Sequence, residues 1–189
     1  MRKLYNIAAL IISAAMLTIT VHAGAGTNKP DNEQSFANTY DLRTVTGITA
    51  EQIAPYMHPD TRHLAADVIS ICEREGVSAE FVAAVIRWEK TPEIHNYFGW
   101  ADNAGDLMVF ADDVTGLDYC IRNIKIMYLT SRPPDADQDD ITGSCHNGYT
   151  ITAVSIKYNN TDFWRDTIAG QTEKIVRNGR DKIDKSRTA

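Results

Sequence analysis

The stretch from Ser78 to Glu89, SAEFVAAVIRWE, constrains the fold more than any other part of the chain. Ser78 is a preferred helix N-cap residue, and Glu80 stands in the first turn, where the helix dipole favours a negative charge. Phe81, Val82, Ala84, Val85, Ile86 and Trp88 then cover most of the helical circumference with apolar side chains. A helix that is apolar nearly all round belongs in the middle of a domain. It runs into a carboxylate, Glu89, and Pro92 stops it. Such a core needs other helices around it, and the rest of the chain supplies them.

TAEQ, beginning at Thr49, has the form of a capping box, with Gln52 three residues after its N-cap. A longer helix is expected from Asp60 to Glu75, with Leu64, Val68, Ile71 and Cys72 on one face and Gly76 as its stop. Thr115 opens another, with Leu117, Cys120, Ile121, Ile124 and Tyr128 on one side. Two more close the domain, from Thr150 to Tyr158 and from Asp162 to Val176. Residues 91–114 have no helical period and carry one candidate strand, LMVF at 107–110. SRPPDADQDDITGSCHNG, 131–148, reads as a polar loop. The pattern predicts a mainly α domain (α+β) over 48–178, with a small β-containing lobe between the third and fourth helices. Residues 26–47 read as a polar linker and 179–189 as a charged, frayed tail.

The first 25 residues have the form of a secretory signal peptide: Arg2 and Lys3, an apolar run from Ile7 to Val21, then small residues. The expected product is a secreted, periplasmic or wall-associated protein with no stable membrane insertion of the mature chain. Removing Arg2 and Lys3 from the 19 basic residues leaves 17 against 25 acidic ones, so the formal charge falls from -6 to -8. An acidic domain of this kind is not built to bind nucleic acid, which requires a basic face. In an exported chain, Cys72, Cys120 and Cys145 allow one disulfide, and Cys120 with Cys145 would tie a helix to the loop after it.

Glu89 is the sharpest chemical feature. It falls seven residues after Val82, four after Val85 and three after Ile86, on an apolar helical face. Desolvation there would raise its pKa and suit it to act as a general acid. The alternative is a helix-end glutamate paired with Arg87 or Lys90. Tyr97, Phe98 and Trp100 follow closely and could stack on sugar rings or pack as core. Asp102, Asp106, Asp112 and Asp113 are candidates for a second carboxylate. DADQDD at 135–140 lacks the glycine and the closing glutamate of an EF-hand calcium loop. TGSCHNG resembles a thiol-protease nucleophile region, but no histidine follows His146. No metal or other cofactor is expected.

Five segments in order resemble the glucosaminidase family of bacterial cell-wall hydrolases (glycoside hydrolase family 73): TGITAEQIAPYM, ICEREGVSAEFVAAVIRWE, HNYFGW, VFADDVTGLDYCIRNIKIMYL and TITAVSIKYNNTDFW. The match covers residues 48–176. The resemblance implies a lysozyme-like helical body with a small β-lobe across a glycan cleft, and peptidoglycan as substrate, cut after N-acetylglucosamine. Glu89 then stands where that family has its general acid and Tyr158 where it has an active-site tyrosine. Asn96, Tyr97, Phe98 and Gly99, with Trp100 beside them, stand where it lines its cleft. The chain departs from the family in the short loop EKTPEIHNYFGW, which makes Glu93 a rival acid. A lytic transglycosylase on the same fold and a catalytically silent wall-binding module are the alternatives.

Overall fold

The computed structural model describes residues 35–187, apart from 90, 91, 103, 138 and 139. The segment expected to be a signal peptide, and the first part of the expected linker, lie outside them. The fold is mainly α. Its helices are α1 (Phe36–Thr39), α2 (Ala50–Ile53), α3 (Ala65–Glu75), α4 (Ala79–Glu89), α5 (Asp113–Asn123), α6 (Ile151–Tyr158) and α7 (Asp162–Arg187). Short 3₁₀ turns cover Ala54–Tyr56, Pro59–Leu64 and Pro92–Ile94, and a π-helical turn, Ile124–Tyr128, extends α5.

The central position expected for α4 is observed: every residue from Ala79 to Ile86 is buried. Ser78 Oγ caps it by accepting the Phe81 N–H at 3.2 Å. Phe81, Val82, Val85 and Ile86 join one continuous core with Leu117, Ile121 and Ile124 of the α5 region and Ile168 and Ile175 of α7. Burying an aliphatic or phenyl side chain of this size contributes about 1.5–3 kcal/mol, so α4 supplies much of the driving force. α7 is its principal neighbour, with α3 on another side. Gly76 ends α3 in the left-handed conformation at φ 67°, which a residue with a side chain adopts only at a cost.

Several boundaries differ from the sequence-based expectation. The helix expected from Asp60 begins as a 3₁₀ turn and becomes α-helical only at Ala65. α5 starts at Asp113, because Asp112 caps it by accepting the Thr115 N–H at 2.7 Å. LMVF is not a strand. Leu107 makes one isolated bridge with Ala101, and the N–H groups of Met108 and Phe110 donate to the carbonyls of Trp100 and Ile94. α7 continues past Val176 to Arg187, so the expected frayed tail is helical over most of its length.

The described part of the expected linker is folded onto the domain. Leu42 is fully buried, and Tyr40 and Ile48 nearly so. Leu42 donates its N–H to Tyr149 O at 2.8 Å and accepts the Ser78 N–H at 2.7 Å, while Asp41 bridges Thr150. Glu80, in the first turn of α4, is buried and satisfied by hydroxyls from this arm and from the α4 cap. Thr46 Oγ1 donates to its Oε1 at 2.5 Å and Ser78 Oγ to its Oε2 at 3.0 Å. A buried carboxylate needs such donors, and they fasten the arm to the start of α4.

The Cys120–Cys145 bridge is not formed; all three thiols are free. Cys72 and Cys120 are buried, and burial pushes both thiols up. The polar loop is held instead by backbone bonds to the π-helical turn, Gly143 N–H to Ile126 O at 2.8 Å and Cys145 N–H to Met127 O at 3.1 Å. Among the described residues, no helix is long and apolar enough to cross a membrane.

Candidate active site

Glu89 is the last residue of α4, at the point where the helix leaves the core and becomes half-buried. Its Oε1 accepts a hydrogen bond from Trp164 Nε1 at 2.7 Å, across the α4–α7 contact. Burial raises its pKa, and the Trp164 N–H partly offsets that by favouring the charged form. Arg87, one of the two cations expected as alternative partners, turns away and donates to the carbonyls of Tyr56 at 3.1 Å and Met57 at 3.3 Å. Among the described residues, no cation forms a salt bridge with Glu89.

An indole N–H only donates, so Oε1 is committed as an acceptor, and when the carboxyl is protonated the proton belongs on Oε2. Oε2 lies beside Gly99, 3.8 Å from where a Cβ would stand on that residue. Gly99 has φ 63° and presents no side chain to the carboxyl. The loop from Glu93 to Trp100 therefore approaches the acid with bare backbone at this point.

Tyr158, at the end of α6, completes the inner wall. Its hydroxyl donates to Phe98 O and so ties α6 to the same loop. Its ring lies 5.0 Å from that of Trp164 and 6.2 Å from that of Trp100, centroid to centroid. Burial and the neighbouring Glu89 carboxylate push its hydroxyl well above the usual phenol range. Tyr158 is thus a neutral residue that positions the loop. The structure brings together Glu89, Tyr158, Gly99, Trp100 and Trp164. Trp164 was not singled out in the sequence as a site residue; the only signal was its place at the end of TITAVSIKYNNTDFW.

Three residues expected to line a cleft face inward instead. Asn96, Tyr97 and Phe98 are 0, 1 and 2 % exposed. Asn96 Nδ2 donates to Trp100 O at 2.7 Å and Met108 O at 3.0 Å, and its Oδ1 accepts the Trp100 N–H at 3.0 Å. It organises the loop from within. Phe98 joins the core, and the Tyr97 hydroxyl donates to Asp113 Oδ1 at 2.5 Å. Glu93, the rival acid, is exposed.

The four candidate second carboxylates have other surroundings. Asp102 Oδ1 accepts the N–H groups of Ala104 and Asp106 and shapes a turn. Asp106 is exposed on that turn, and Asp112 is the α5 cap. Asp113 accepts from Tyr97 and faces His95 at 2.5 Å and His63 at 3.2 Å. Burial alone would raise its pKa, but the three partners hold it below the usual carboxylate range. Among the described residues, none of the four shares a hydrogen bond or charge interaction with Glu89.

A surface groove runs along α5 past Val114, Asp118, Tyr119, Arg122 and Ile126. It touches none of the Glu89 group, and its Asp118 is already paired with Arg74. Among the described residues, no group of three or more His, Cys, Asp or Glu side chains could hold a metal ion. No family model, no curated protein and no solved structure matches the chain.

Proposed function

We propose that this chain cleaves the glycan strand of peptidoglycan outside the cytoplasm, with Glu89 as the general acid. One observation carries the reading: a half-buried carboxyl with a raised pKa, one oxygen held by Trp164 and the other facing a glycine. That arrangement favours the protonated form and leaves Oε2 as the oxygen that would present the proton to a leaving group. The resemblance of five ordered segments to cell-wall glucosaminidases supplies the substrate class, and the signal-like first 25 residues supply the location. On this reading the helical body corresponds to that of a lysozyme-like fold and the irregular segment 91–112 to its small lobe.

Glu89 protonates the glycosidic oxygen as the bond to the anomeric carbon breaks. The positive charge that develops there is met by the substrate's own N-acetyl group or by an attacking hydroxyl, and Glu89, now a carboxylate, accepts the proton of the attacking group. Water as the attacking group gives an endo-β-N-acetylglucosaminidase. A hydroxyl of the substrate gives a lytic transglycosylase and an anhydro-sugar. Tyr158 acts through the loop it holds.

The test is mass spectrometry of peptidoglycan digested by the wild type and by Glu89→Gln. Reducing N-acetylglucosamine ends identify the hydrolase, and anhydro ends the transglycosylase. Glutamine keeps the shape but delivers no proton, so its rate should fall on the order of a hundred- to ten-thousand-fold. Glycan binding without cleavage by the wild type identifies a silent wall-binding module. Wild-type cleavage in Glu89→Gln, with none in Glu93→Gln, moves the acid into the loop and ends the assignment.

A further inference from the structure

We infer that Trp88 and Phe163 form a saccharide-stacking subsite flanking the acid, for an uncharged pyranose ring of the same glycan strand. The inference rests on the glycan-cleaving reading and adds to it a binding surface that the loop residues Tyr97 and Phe98 do not provide.

Two rungs join α4 to α7. The inner rung is Glu89 with Trp164, at 2.7 Å. The outer rung is Trp88 with Phe163, edge to face, with ring centroids 5.5 Å apart and planes at 65°. Each member of the outer rung is the chain neighbour of a member of the inner one. Consecutive helical residues point about 100° apart, so the outer pair stands beside the acid but turns to solvent. Trp88, near the end of a helix whose residues 79–86 are all buried, is 48 % exposed, and Phe163, in the first turn of α7, is 67 % exposed. Two large rings held together in water next to a reactive carboxyl mark a contact surface, since core packing accounts for neither.

Charge selects the occupant. Arg87, before Trp88, is committed to the carbonyls of Tyr56 and Met57. Arg165, after Trp164, is paired with Asp162 and Asp166. Among the described residues, the cations next to the platform in sequence are therefore engaged, which disfavours a phosphate or an acidic peptide. A neutral pyranose presents a face of C–H groups that packs on an aromatic ring. Continuity with the acid makes that ring part of the strand being cut.

The experiment measures binding of β-1,4-linked N-acetylglucosamine oligomers of increasing length to full chains carrying Glu89→Gln, with sedimentation of the free proteins alongside. Trp88→Ala and Phe163→Ala should each weaken binding of the longer oligomers about tenfold, the scale of one lost aromatic contact. Melting temperatures should barely move, because both rings are exposed. Trp88→Tyr should restore binding and Trp88→Leu should not, since leucine is apolar but has no π face. In the active protein, Trp88→Ala should raise KM more than it lowers kcat. Unchanged affinity in Trp88→Ala, with a wild type that binds and cleaves, overturns the subsite and leaves the acid assignment intact. Rescue by Trp88→Leu, or a self-associated wild type that Trp88→Ala makes monomeric, overturns it in favour of a protein-docking patch. A wild type that neither binds nor cleaves glycan sinks both proposals.

Discussion

Trp164 Nε1 and Glu89 Oε1, 75 residues apart in sequence, are joined by a 2.7 Å hydrogen bond that spans α4 and α7. The bond fixes which carboxyl oxygen can carry a proton. It also opposes the upward pull of burial on the Glu89 pKa. Trp164→Phe keeps an aromatic ring and removes the donor, so the Glu89 pKa should rise further. A general acid works below its own pKa, and the alkaline limb of the pH–rate profile should move to higher pH. Stability should fall by about 1–3 kcal/mol from the lost bond and the smaller ring. Carboxyl titration by ¹³C NMR, with thermal melts, checks both parts; a downward shift would refute the role given to the indole.

Glu89→Gln should change stability in a pH-dependent way. The folded-state pKa of Glu89 is raised above its ordinary value of 4.5. Well below that value the carboxyl is protonated whether folded or unfolded and contributes no differential. As pH rises from the ordinary value through the raised one, the unfolded chain gives up the proton first, and folding is penalised. Removing the group should therefore raise the melting temperature at pH 7 relative to wild type, with little gain at pH 3. Paired melts at the two pH values decide it, and a gain confined to low pH contradicts the burial argument.

Asn96→Ala should unlatch the loop from Glu93 to Trp100. Three side-chain hydrogen bonds disappear, leaving the Trp100 N–H and the carbonyls of Trp100 and Met108 without that partner. The expected cost is about 2–4 kcal/mol, together with faster proteolysis between 93 and 108. Denaturant melts and limited proteolysis read the two effects separately. A cost under about 0.5 kcal/mol would show that Asn96 does not organise this loop.

Gly116 and Gly170 form a contrasting pair. A Cβ on Gly116 would lie 2.0 Å from the His95 carbonyl oxygen, whereas one on Gly170 meets nothing within 4 Å. Gly116→Ala must push α5 and the His95 backbone apart, and overpacking of this kind costs about 1–3 kcal/mol. Cleavage should fall with it, because Gly99 rides on the same loop. Gly170→Ala should stabilise α7 by about 0.5–1 kcal/mol and leave cleavage unchanged. Thermal melts and peptidoglycan turnover of the two variants are the measurements.

What could be read from the sequence follows physical periodicity. α4 was legible because eight buried residues in a row leave a strong apolar signal. The ends at Thr49, Ser78, Gly76 and Thr150 were legible because capping chemistry is local. Residues 36–48 were not, because Tyr40, Leu42 and Ile48 are buried without helical or strand spacing, and their partners Ser78 and Tyr149 are distant in sequence. α7 was cut short because its final turns carry so many charges that no apolar face continues. Glu89 could be found from its register on an apolar face. Of the aromatic rings around it, Trp100 and Tyr158 were named and Trp164 was not, since proximity in sequence does not say which way a ring turns. Tyr97 and Phe98 point inward, while Trp164, far along the chain, supplies the contact.

The position of Trp164 on α7 has a consequence in time. While the chain is being made, everything that forms α4 precedes everything that forms α7. A nascent or truncated chain ending before Asp162 can carry Glu89 but lacks the indole that fixes its proton and the helix that walls it off from water. Until α7 docks, the carboxyl is an ordinary glutamate, already ionised at neutral pH like any other on a surface. On the glycan-cleaving reading, maturation of the acid is coupled to completion of the fold, and chains that end before α7 should not cleave.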